Sequence, residues 1–473
     1  MELTIQIVNY LILAYFVLLN TGYLVTSVLA YKSLRTYARR LKSLHVREMI
    51  SAVSAPPITL LLPSFNEEAG CVESTRSVLS LQYPNYEVLV INDGSSDRTL
   101  ARLIAAFELA PAQRYPTSEL PTAAVRGIYK SAIHPNLWVV DKENGGKADA
   151  LNTGINFCRT PLFCAMDADS LLEREALVRV ARPFLEDESV IAVGGIIRLV
   201  NGCPVEAGRV AHVNLSKRLI VRFQVLEYLR AFLFGRVGWD ALNVMLIISG
   251  AFGLFKRSVV VAAGGYATDT VGEDMELVVR LHRYALDHKM RYRITFIADP
   301  VAWTEAPESL RVLARQRDRW QRGLTQVLIR HQKMLLNPRY GRIGMLAYPY
   351  FYFLEMLGPA VESFGYVIVG SCFLLGLVPW QFAVAFLLVA LVFGVALSLS
   401  AVALEEFSFR RYERFSDLAR LFLIAILENF GYRQLTTWWR IKGLYSYLRG
   451  VQGWGKMERT GFQASPAAQA LGG

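Results

Sequence analysis

A short apolar segment that ends in two aspartates constrains this chain most. Residues 162–166 (LFCAM) are all apolar, as expected of a strand buried on both faces of a sheet. Asp167, Asp169 and Ser170 follow, and because residues two apart on a strand point the same way, the two carboxylates would lie side by side. Open α/β sheets bind ligands at the carboxyl ends of their strands, where such a pair suits Mg²⁺ or Mn²⁺. The alternative is an acidic turn that caps a helix.

Further apolar segments predict the neighbouring strands of one sheet. Residues 58–62, 86–91 and 137–141 have strand composition, and each precedes a polar turn and a helical pattern. Residues 190–199 predict another strand. This alternation of strands and helices indicates a doubly wound α/β sheet. Residues 110–136, rich in Pro, Thr and Ala, are expected to form an irregular insertion.

The loops after these strands carry residues suited to helix starts and to phosphate. We expect Asn66 to cap a helix whose first turn holds Glu67 and Glu68. The Gly-Gly pair before Lys147 allows a ligand to approach the backbone, and a lysine at a helix start suits a phosphate. A helix terminus with a solvated lysine is an equally good interpretation of that loop.

A second acidic motif is predicted to open a helix in the later part of the sheet region. The segment ISGAFGLFKR indicates a small-residue turn into a short strand, and residues 292–298 indicate a closing strand. Between them Glu273 and Asp274 stand at the start of a helical pattern. Acidic residues favour the first turn of any helix, so this motif alone does not indicate chemistry.

The helix predicted over residues 308–323 carries three residues suited to a sugar nucleotide. Gln316, Arg319 and Trp320 stand at i, i+3 and i+4, which places them on one helical face. Arginine offers a fixed fork for diphosphate oxygens, and tryptophan offers a platform for a sugar ring. The alternative is a basic surface helix with a tryptophan at a membrane interface.

Long apolar segments at both ends of the chain predict a membrane protein. Residues 5–31 are long enough to span a bilayer, which needs about 20 residues. Basic residues follow, so the positive-inside rule predicts an outside N-terminus and a cytoplasmic main domain. Residues 345–378, with a break expected near Gly358-Pro359, and residues 382–404 are further candidates.

Two more segments are expected to lie in or near the membrane. Residues 421–430 are short and precede a basic tail, so we expect a re-entrant hairpin in which Glu428 faces a channel or a partner. Residues 209–240 are amphipathic and basic, which predicts helices at the membrane surface. An ordinary cytoplasmic helix pair is the alternative.

Composition indicates a lipid partner. The 473-residue chain is 53% hydrophobic and has a formal net charge of +11, which suits a membrane with anionic lipid on its cytoplasmic face. The long apolar segments argue against nucleic acid as the partner of this charge. The five cysteines show no metal-binding or disulfide spacing, which fits a reducing compartment.

Five segments are predicted. They are a transmembrane anchor (1–34), a basic cytoplasmic linker (35–56), a cytoplasmic catalytic domain with interfacial helices (57–340), a transmembrane or re-entrant region (341–450) and a cytoplasmic tail (451–473).

Seven motifs in order resemble one enzyme family. PSFNEE, VINDGSSD, GGKADALNTG, DADS, SGAFGLF, GED and QRDRW are similar to the motifs of the membrane-embedded, processive branch of the inverting family-two glycosyltransferases. Cellulose, chitin, hyaluronan and poly-N-acetylglucosamine synthases belong to it. The resemblance covers about Pro57 to Gly323. It implies a GT-A type, doubly wound mixed sheet in the cytoplasm, flanked by transmembrane helices of the plasma (inner) membrane, with a UDP-sugar donor and Mg²⁺ or Mn²⁺.

The resemblance also implies a role for each matching residue. The implied roles are a uracil and ribose site at Pro63, Phe65, Asn66, Glu67 and Asp93; a nucleotide contact at Lys147; a metal pair at Asp167 and Asp169, with Asp169 preferred as the direct ligand; a general base at Asp274; and a site near the diphosphate and acceptor sugar at Gln316, Arg319 and Trp320. Two departures stand out: Asn92 replaces a frequent aspartate before Asp93, and Gly272 replaces a frequent threonine before Glu273.

Three functions are compatible with these motifs. The first is a synthase that extends a β-linked polysaccharide and passes it through the membrane, with an accessory membrane subunit or a homo-oligomer possible. The second is a glycolipid synthase that transfers one sugar to a lipid acceptor. The third is a non-catalytic membrane sensor or assembly subunit, against which the intact DxD, GED and QxxRW motifs argue.

Overall fold

The described residues fall into two compact units. The structure, a computed structural model, describes residues 2–43, 55–206, 208–409, 411–412 and 414–451. Within these, a helical unit contains residues 2–36, 215–244 and 307–451, and a sheet unit contains residues 37–214 and 245–306 with the gaps given. The catalytic domain predicted over residues 57–340 therefore has parts in both units, and the predicted tail lies almost entirely outside the described residues.

The described strands lie in the sheet unit. In chain order they are β1 (Ile58–Ser64), β2 (Tyr86–Asp93), β3 (Leu109–Pro111), β4 (Val125–Ser131), β5 (Leu137–Lys142), β6 (Leu162–Met166), β7 (Leu171–Leu172), β8 (Val190–Leu199), β9 (Val205–Glu206), β10 (Arg209–Val210), β11 (Phe252–Lys256) and β12 (Arg293–Thr304). The predicted strands at 58–62, 86–91, 137–141, 162–166 and 190–199 are confirmed, and the strand predicted at 292–298 continues to Thr304.

The α-helices of the described residues are, in chain order, α1 (Glu2–Ser43), α2 (Cys71–Leu79), α3 (Thr99–Phe107), α4 (Lys147–Phe157), α5 (Ala176–Glu186), α6 (Leu219–Leu229), α7 (Val237–Ala241), α8 (Arg257–Ala262), α9 (Glu273–Asp287), α10 (Leu310–Arg330), α11 (Gly358–Leu374), α12 (Trp380–Ser408), α13 (Phe415–Leu427) and α14 (Tyr432–Leu448). Single-turn 3-10 and π segments accompany them; π segments lie at Arg230–Arg236, Ile343–Ala347 and Tyr350–Met356.

Ten strands form one mixed sheet in the order β3-β4-β5-β2-β1-β6-β11-β8-β12-β7. β1 pairs in parallel with β2 and β6, and β2 pairs in parallel with β5. β11 runs antiparallel between β6 and β8. The predicted doubly wound mixed sheet is confirmed, and its central strands are buried because helices cover both faces of such a sheet.

Residues 110–136 were expected to form an irregular insertion, and that prediction is wrong. The segment supplies β4 and part of β3, which extend the sheet by antiparallel pairing beyond β5. The mostly exposed or half-buried pattern of β4 explains the error, since this strand, next to the edge strand β3, lacks the continuous apolar run that marks a central strand.

Asn66 does not cap a helix, which corrects a second prediction. α2 begins four residues beyond Glu67, at Cys71, with Gly70 at its N-cap position. Asn66 has a left-handed backbone (φ 56°), and its side-chain Oδ1 accepts a hydrogen bond from the Ser96 N–H at 2.8 Å. Asparagine tolerates that backbone conformation well, so the residue closes a loop instead.

Close packing holds α4 and α9 on the sheet unit. A Cβ placed on Gly154 of α4 would lie 2.9 Å from a methyl group of Leu61, so only glycine lets this helix approach so closely. On α9, the predicted inward face is confirmed: Leu277, Val278 and Leu281 are fully buried.

The helical unit contains helices long and apolar enough to cross a membrane. Thr4–Tyr37 and Trp380–Ser408 meet that test, and Ile343–Met356 with Gly358–Leu374 would make a third if this pair, bent by 46°, is one span. The predicted apolar segments at both ends of the chain are therefore helical. The predicted break near Gly358-Pro359 is confirmed.

Ion pairs between buried and half-buried side chains join helices inside the helical unit. Glu428 accepts hydrogen bonds from Arg230 and from the Ser398 hydroxyl, so its partners are protein groups. Glu355 and Glu362, seven residues apart, pair with Arg440 and Arg433, which are also seven residues apart on α14. Seven residues are about two helical turns, so these pairs form a two-rung antiparallel ladder.

Candidate active site

The strand register brings the predicted donor-site loops to one edge of the sheet unit. In the parallel pairing, Ser64 at the end of β1 lies opposite Asn92, one residue before the end of β2. β6 runs parallel to β1, so Asp167 and Asp169 follow at the same edge. Phe252 at the start of β11 pairs with Met166, which places the turn before β11 there as well.

The loops after β1 and β2 are tied together by hydrogen bonds. The Asn66 N–H donates to Ser95 Oγ at 3.0 Å, and the Glu67 N–H donates to Thr99 Oγ1 at 2.9 Å. Pro63 is half-buried and Phe65 is exposed at this edge. Contacts of these residues with uracil and ribose stay predictions, and the hydrogen bonds would hold the loop in place for them.

Asp93 is buried and its carboxylate holds the glycine loop. It accepts hydrogen bonds from Lys142 Nζ at 2.6 Å and from the backbone N–H groups of Gly145 and Gly146 at 3.0 and 2.8 Å. Asn144 Nδ2 donates to it at 3.2 Å. A nucleotide contact by Asp93 stays a prediction; in the described structure this residue shapes the loop that precedes Lys147.

Lys142 was not singled out from the sequence, although it organises this loop. Its side chain is fully buried, and its ammonium lies 2.6 Å from Asp93 Oδ1 and 2.7 Å from Asp149 Oδ1. A buried ammonium is tolerated only with such partners. The available signal was a lysine at the end of a buried strand, where a charge without partners would be costly.

Lys147 pairs with two of the acidic motifs. Its Nζ lies 2.6 Å from Asp167 Oδ1 and 3.3 Å from Glu273 Oε1. Burial opposes the charged form of this lysine, but the two carboxylates outweigh burial and hold the pKa of Lys147 above its usual value. The structure thus brings together the predicted phosphate lysine, the DxD motif and the GED motif.

The surroundings of Asp169 disfavour the ionised form of its carboxyl group. Burial, together with the neighbouring carboxylates of Asp167 and Glu305, raises the pKa of Asp169 to about 7. An added cation would relieve this excess of negative charge, and the Lys147 ammonium already fills that role at Asp167. Hard carboxylate oxygens suit Mg²⁺ or Mn²⁺, so the donor set fits the metal that the resemblance implies.

The two aspartates resemble a metal site that is shared with a phosphate-bearing substrate. Among the described residues, no group of three or more His, Cys, Asp or Glu side chains is arranged to hold a metal ion. Mg²⁺ is commonly bound through one or two carboxylates together with substrate phosphates and water, which agrees with a site built on two aspartates.

Asp274 is anchored beside a small cavity in the sheet unit. Its Oδ2 accepts a hydrogen bond from the Gly250 N–H at 2.9 Å, and its Oδ1 accepts one from the Met275 N–H at 2.7 Å. The residues that line the cavity include Lys147, Glu273, Asp274 and Tyr266. A carboxylate held at a cavity wall is able to accept a proton from a bound hydroxyl.

The QxxRW residues lie in the helical unit, on α10. Gln316 is buried, whereas Trp320 is 44% exposed, and the Arg317 guanidinium lies 4.3 Å from the centre of the Trp320 ring. Arg317 also pairs with Glu227, which in turn accepts a hydrogen bond from the Tyr432 hydroxyl at 3.0 Å. Arg317, which the sequence did not single out, therefore supports the tryptophan from within its own helix.

Fold and motifs define a sugar-transferring enzyme of GT-A type. The family described as Glycosyltransferase like family 2 matches residues 56–323, more than half of the chain, and this protein belongs to that family.

Similar proteins agree with this assignment. The poly-beta-1,6-N-acetyl-D-glucosamine synthase of Staphylococcus aureus (strain COL) is 30% identical over 329 residues, covering 69% of this chain and 67% of the relative. The probable glycosyltransferase YdaM of Bacillus subtilis is 26% identical over 318 residues, covering 66% of each chain. A mannosyltransferase from Pyrobaculum calidifontis, solved with GDP-Man and Mn²⁺, has a similar fold: the TM-score is 0.51 at 18% identity, over 93% of this chain and 100% of that one.

Proposed function

We propose that this protein is an inverting membrane glycosyltransferase that transfers a sugar from a UDP-sugar to the end of a growing β-linked polysaccharide, which it extrudes. The observation that carries the proposal is the meeting of Lys147, Asp167 and Asp274 around one edge of the sheet unit. Family membership supports the transfer itself. The name of the 30%-identical relative makes N-acetylglucosamine the first donor sugar to test.

Asp274 is proposed as the general base. In the transfer, the acceptor hydroxyl attacks the anomeric carbon while the bond to the diphosphate breaks, and the hydroxyl proton passes to the Asp274 carboxylate. The two backbone N–H groups that bind this carboxylate fix its orientation without using both lone pairs of either oxygen. A single in-line displacement inverts the anomeric carbon.

The leaving diphosphate requires positive charge. Asp167 and Asp169 would hold Mg²⁺ or Mn²⁺, which offsets the negative charge that develops on the diphosphate. Lys147 brings a second positive charge at the same edge. We assign Gln316, Arg319 and Trp320 to the diphosphate and the acceptor sugar, because a guanidinium fork binds phosphate oxygens and an exposed indole stacks on sugar rings.

We place the sheet unit on the cytoplasmic side of the plasma (inner) membrane. Three crossings, by α1, by the bent pair and by α12, carry an outside N-terminus to a cytoplasmic C-terminus. The basic residues after α1 and near the chain end then both lie inside, as the positive-inside rule requires. A cysteine introduced in the turn at residues 375–379 should react with a membrane-impermeant maleimide from outside; protection there with labelling from inside would refute this topology.

Product analysis tests the transfer reaction. The purified full-length protein is incubated with UDP-N-acetylglucosamine, other UDP-sugars and Mg²⁺ or Mn²⁺, and the products are sized and weighed. The proposal expects a β-linked polymer from one donor. A single sugar on lipid would identify a glycolipid synthase instead, and no turnover of any donor would favour the non-catalytic function.

A further inference from the structure

One ammonium group in the sheet unit serves two carboxylates on different elements. Lys147, the first residue of α4, lies 2.6 Å from Asp167 in the loop after β6 and 3.3 Å from Glu273 at the start of α9. The carbonyl oxygen of Gly250 lies 3.5 Å from the same Nζ. The ammonium therefore stands between the proposed metal carboxylate and a second carboxylate for which the proposed mechanism has no role.

The two carboxylates differ in their access to solvent. The Asp167 side chain is 29% exposed, so an incoming cation could reach it, whereas the Glu273 side chain is 6% exposed. A buried carboxylate needs a partner charge more than an exposed one does, because water does not stabilise it. Glu273 is therefore suited to keep Lys147 nearby when Asp167 becomes engaged elsewhere.

We propose that Lys147 is a displaceable counter-ion of Asp167, and that Glu273 is the positioning residue that retains the ammonium when a divalent cation takes Asp167. The inference rests on the metal site of the proposed function and assigns a role to Glu273. The displaced ammonium needs to travel little, since it is already within 3.3 Å of Glu273 Oε1. It also stays at the cavity wall beside Asp274, where a donor phosphate would meet it.

Competition between the ammonium and the metal has a measurable consequence. As long as Lys147 occupies Asp167, only the fraction of molecules with a free Asp167 binds the cation, and the apparent affinity falls by that fraction. Removing the ammonium should therefore tighten metal binding. Removing Glu273 should weaken metal binding, because the displaced ammonium then has no buried carboxylate to receive it.

Mn²⁺ binding without any donor tests this device in the purified full-length protein. Free Mn²⁺ is followed by electron paramagnetic resonance during titration with MnCl₂ for the wild type, Lys147→Met, Glu273→Gln and the double variant. We expect Lys147→Met to lower the Mn²⁺ Kd about tenfold and Glu273→Gln to raise it roughly threefold or more. In the Lys147→Met background, Glu273→Gln should change the Kd less than about twofold, because the coupling passes through the lysine.

Three controls separate this role from simpler ones. Lys147→Arg keeps the charge and should bind Mn²⁺ as the wild type does. Lys147→Gln is a second neutral variant that keeps the test decisive if the methionine lowers the melting temperature. Glu188→Gln removes an exposed carboxylate next to the start of β8, at the edge of the sheet opposite the site, and should leave the Kd unchanged.

Two results would overturn the inference. One is an Mn²⁺ Kd of Lys147→Met that is no lower than the Kd of the wild type. The absence of Mn²⁺ binding in all variants would count as the same result. The other is an equal loss of affinity on Glu273→Gln with and without Lys147, which would mean that Glu273 attracts the metal through its own charge. Polymer formation is measured separately: its absence alongside the expected Kd changes would refute the proposed product and leave this inference standing.

Discussion

Replacing Gly250 by alanine should shift side chains of the candidate active site while leaving the stability of the fold nearly unchanged. A Cβ at this position would lie 2.8 Å from Lys147 Nζ and 3.3 Å from Asp274 Oδ2. Both are ends of side chains, so they can move while the backbone keeps its place. The substitution therefore acts on the two residues that we propose for phosphate contact and proton transfer.

The size of the effect follows from these distances. Ordinary carbon contacts begin near 3.4 Å, so the ammonium must shift by about 0.6 Å (3.4 minus 2.8) and lose part of its 2.6 Å pairing with Asp167. A misplacement of about 1 Å at reacting groups costs on the order of a hundredfold in rate. We expect Gly250→Ala to lower kcat/KM about tenfold or more.

The assay compares initial rates of sugar transfer with melting temperature in the same preparations. Gly250→Ala should leave the melting temperature within a few degrees, at about 2–4 °C per kcal/mol for a domain of this size. Gly370→Ala is the matched control, because a Cβ there meets nothing within 4 Å and alanine favours a helix. Wild-type kcat/KM in Gly250→Ala would refute the argument that this glycine makes room for the site.

Three further predictions concern the base, the buried lysine and a buried histidine. Asp274→Asn should lower kcat on the order of a hundredfold or more while UDP binding measured by calorimetry persists, and unchanged kcat would remove Asp274 from the role of base. Lys142→Met should destabilise the sheet unit by about 3–5 kcal/mol, because it leaves Asp93 and Asp149 buried without their ammonium. The control Arg126→Met breaks a half-exposed pair with Asp141 and should cost less than about 1 kcal/mol. Equal shifts in melting temperature in the two variants would contradict this. Burial lowers the pKa of His282 to about 4, below its unfolded value near 6.5. Because the unfolded state binds the proton first, the free energy of unfolding should fall by up to about 3 kcal/mol as pH drops from 6.5 to 4. In His282→Gln that part of the pH dependence of the melting temperature should disappear, and its persistence would exclude the histidine as the cause.

The sequence predicted the central sheet well because its strands are continuous apolar runs. Residues 162–166 and 190–199 matched β6 and β8 at both ends, since a strand buried on two faces begins and ends where the apolar run does. Strand β4, next to the edge strand β3, was missed because most of its side chains are exposed or half-buried and it depends on pairing with β3 and β5. Such a strand is specified by its neighbours more than by its own composition.

The site residues were predicted by position, but their partners were not. The position of Asp167 after β6 and of Lys147 at the start of α4 predicted that both lie at the carboxyl edge of the sheet, where the structure has them. It did not indicate that these two side chains pair with each other, or that Asp93 accepts hydrogen bonds from Gly145 and Gly146. Such contacts join residues that are 20 to 53 positions apart, and local periodicity carries no signal of them.

Gly272 stands where related enzymes frequently have a threonine, and a hydroxyl from another residue lies close to it. A threonine frequently precedes Glu273-Asp274 in the related enzymes, and glycine offers no hydroxyl. Here the Thr270 Oγ1, two residues earlier, accepts a hydrogen bond from the Gly272 N–H at 3.2 Å, and Gly272 is the N-cap residue of α9. A hydroxyl thus orders the chain where it enters the helix that presents Glu273 and Asp274. If this hydrogen bond matters for the site, Thr270→Val should lower kcat/KM more than Thr270→Ser, which keeps the acceptor oxygen; equal rates in the two variants would show that the start of α9 is fixed by packing alone.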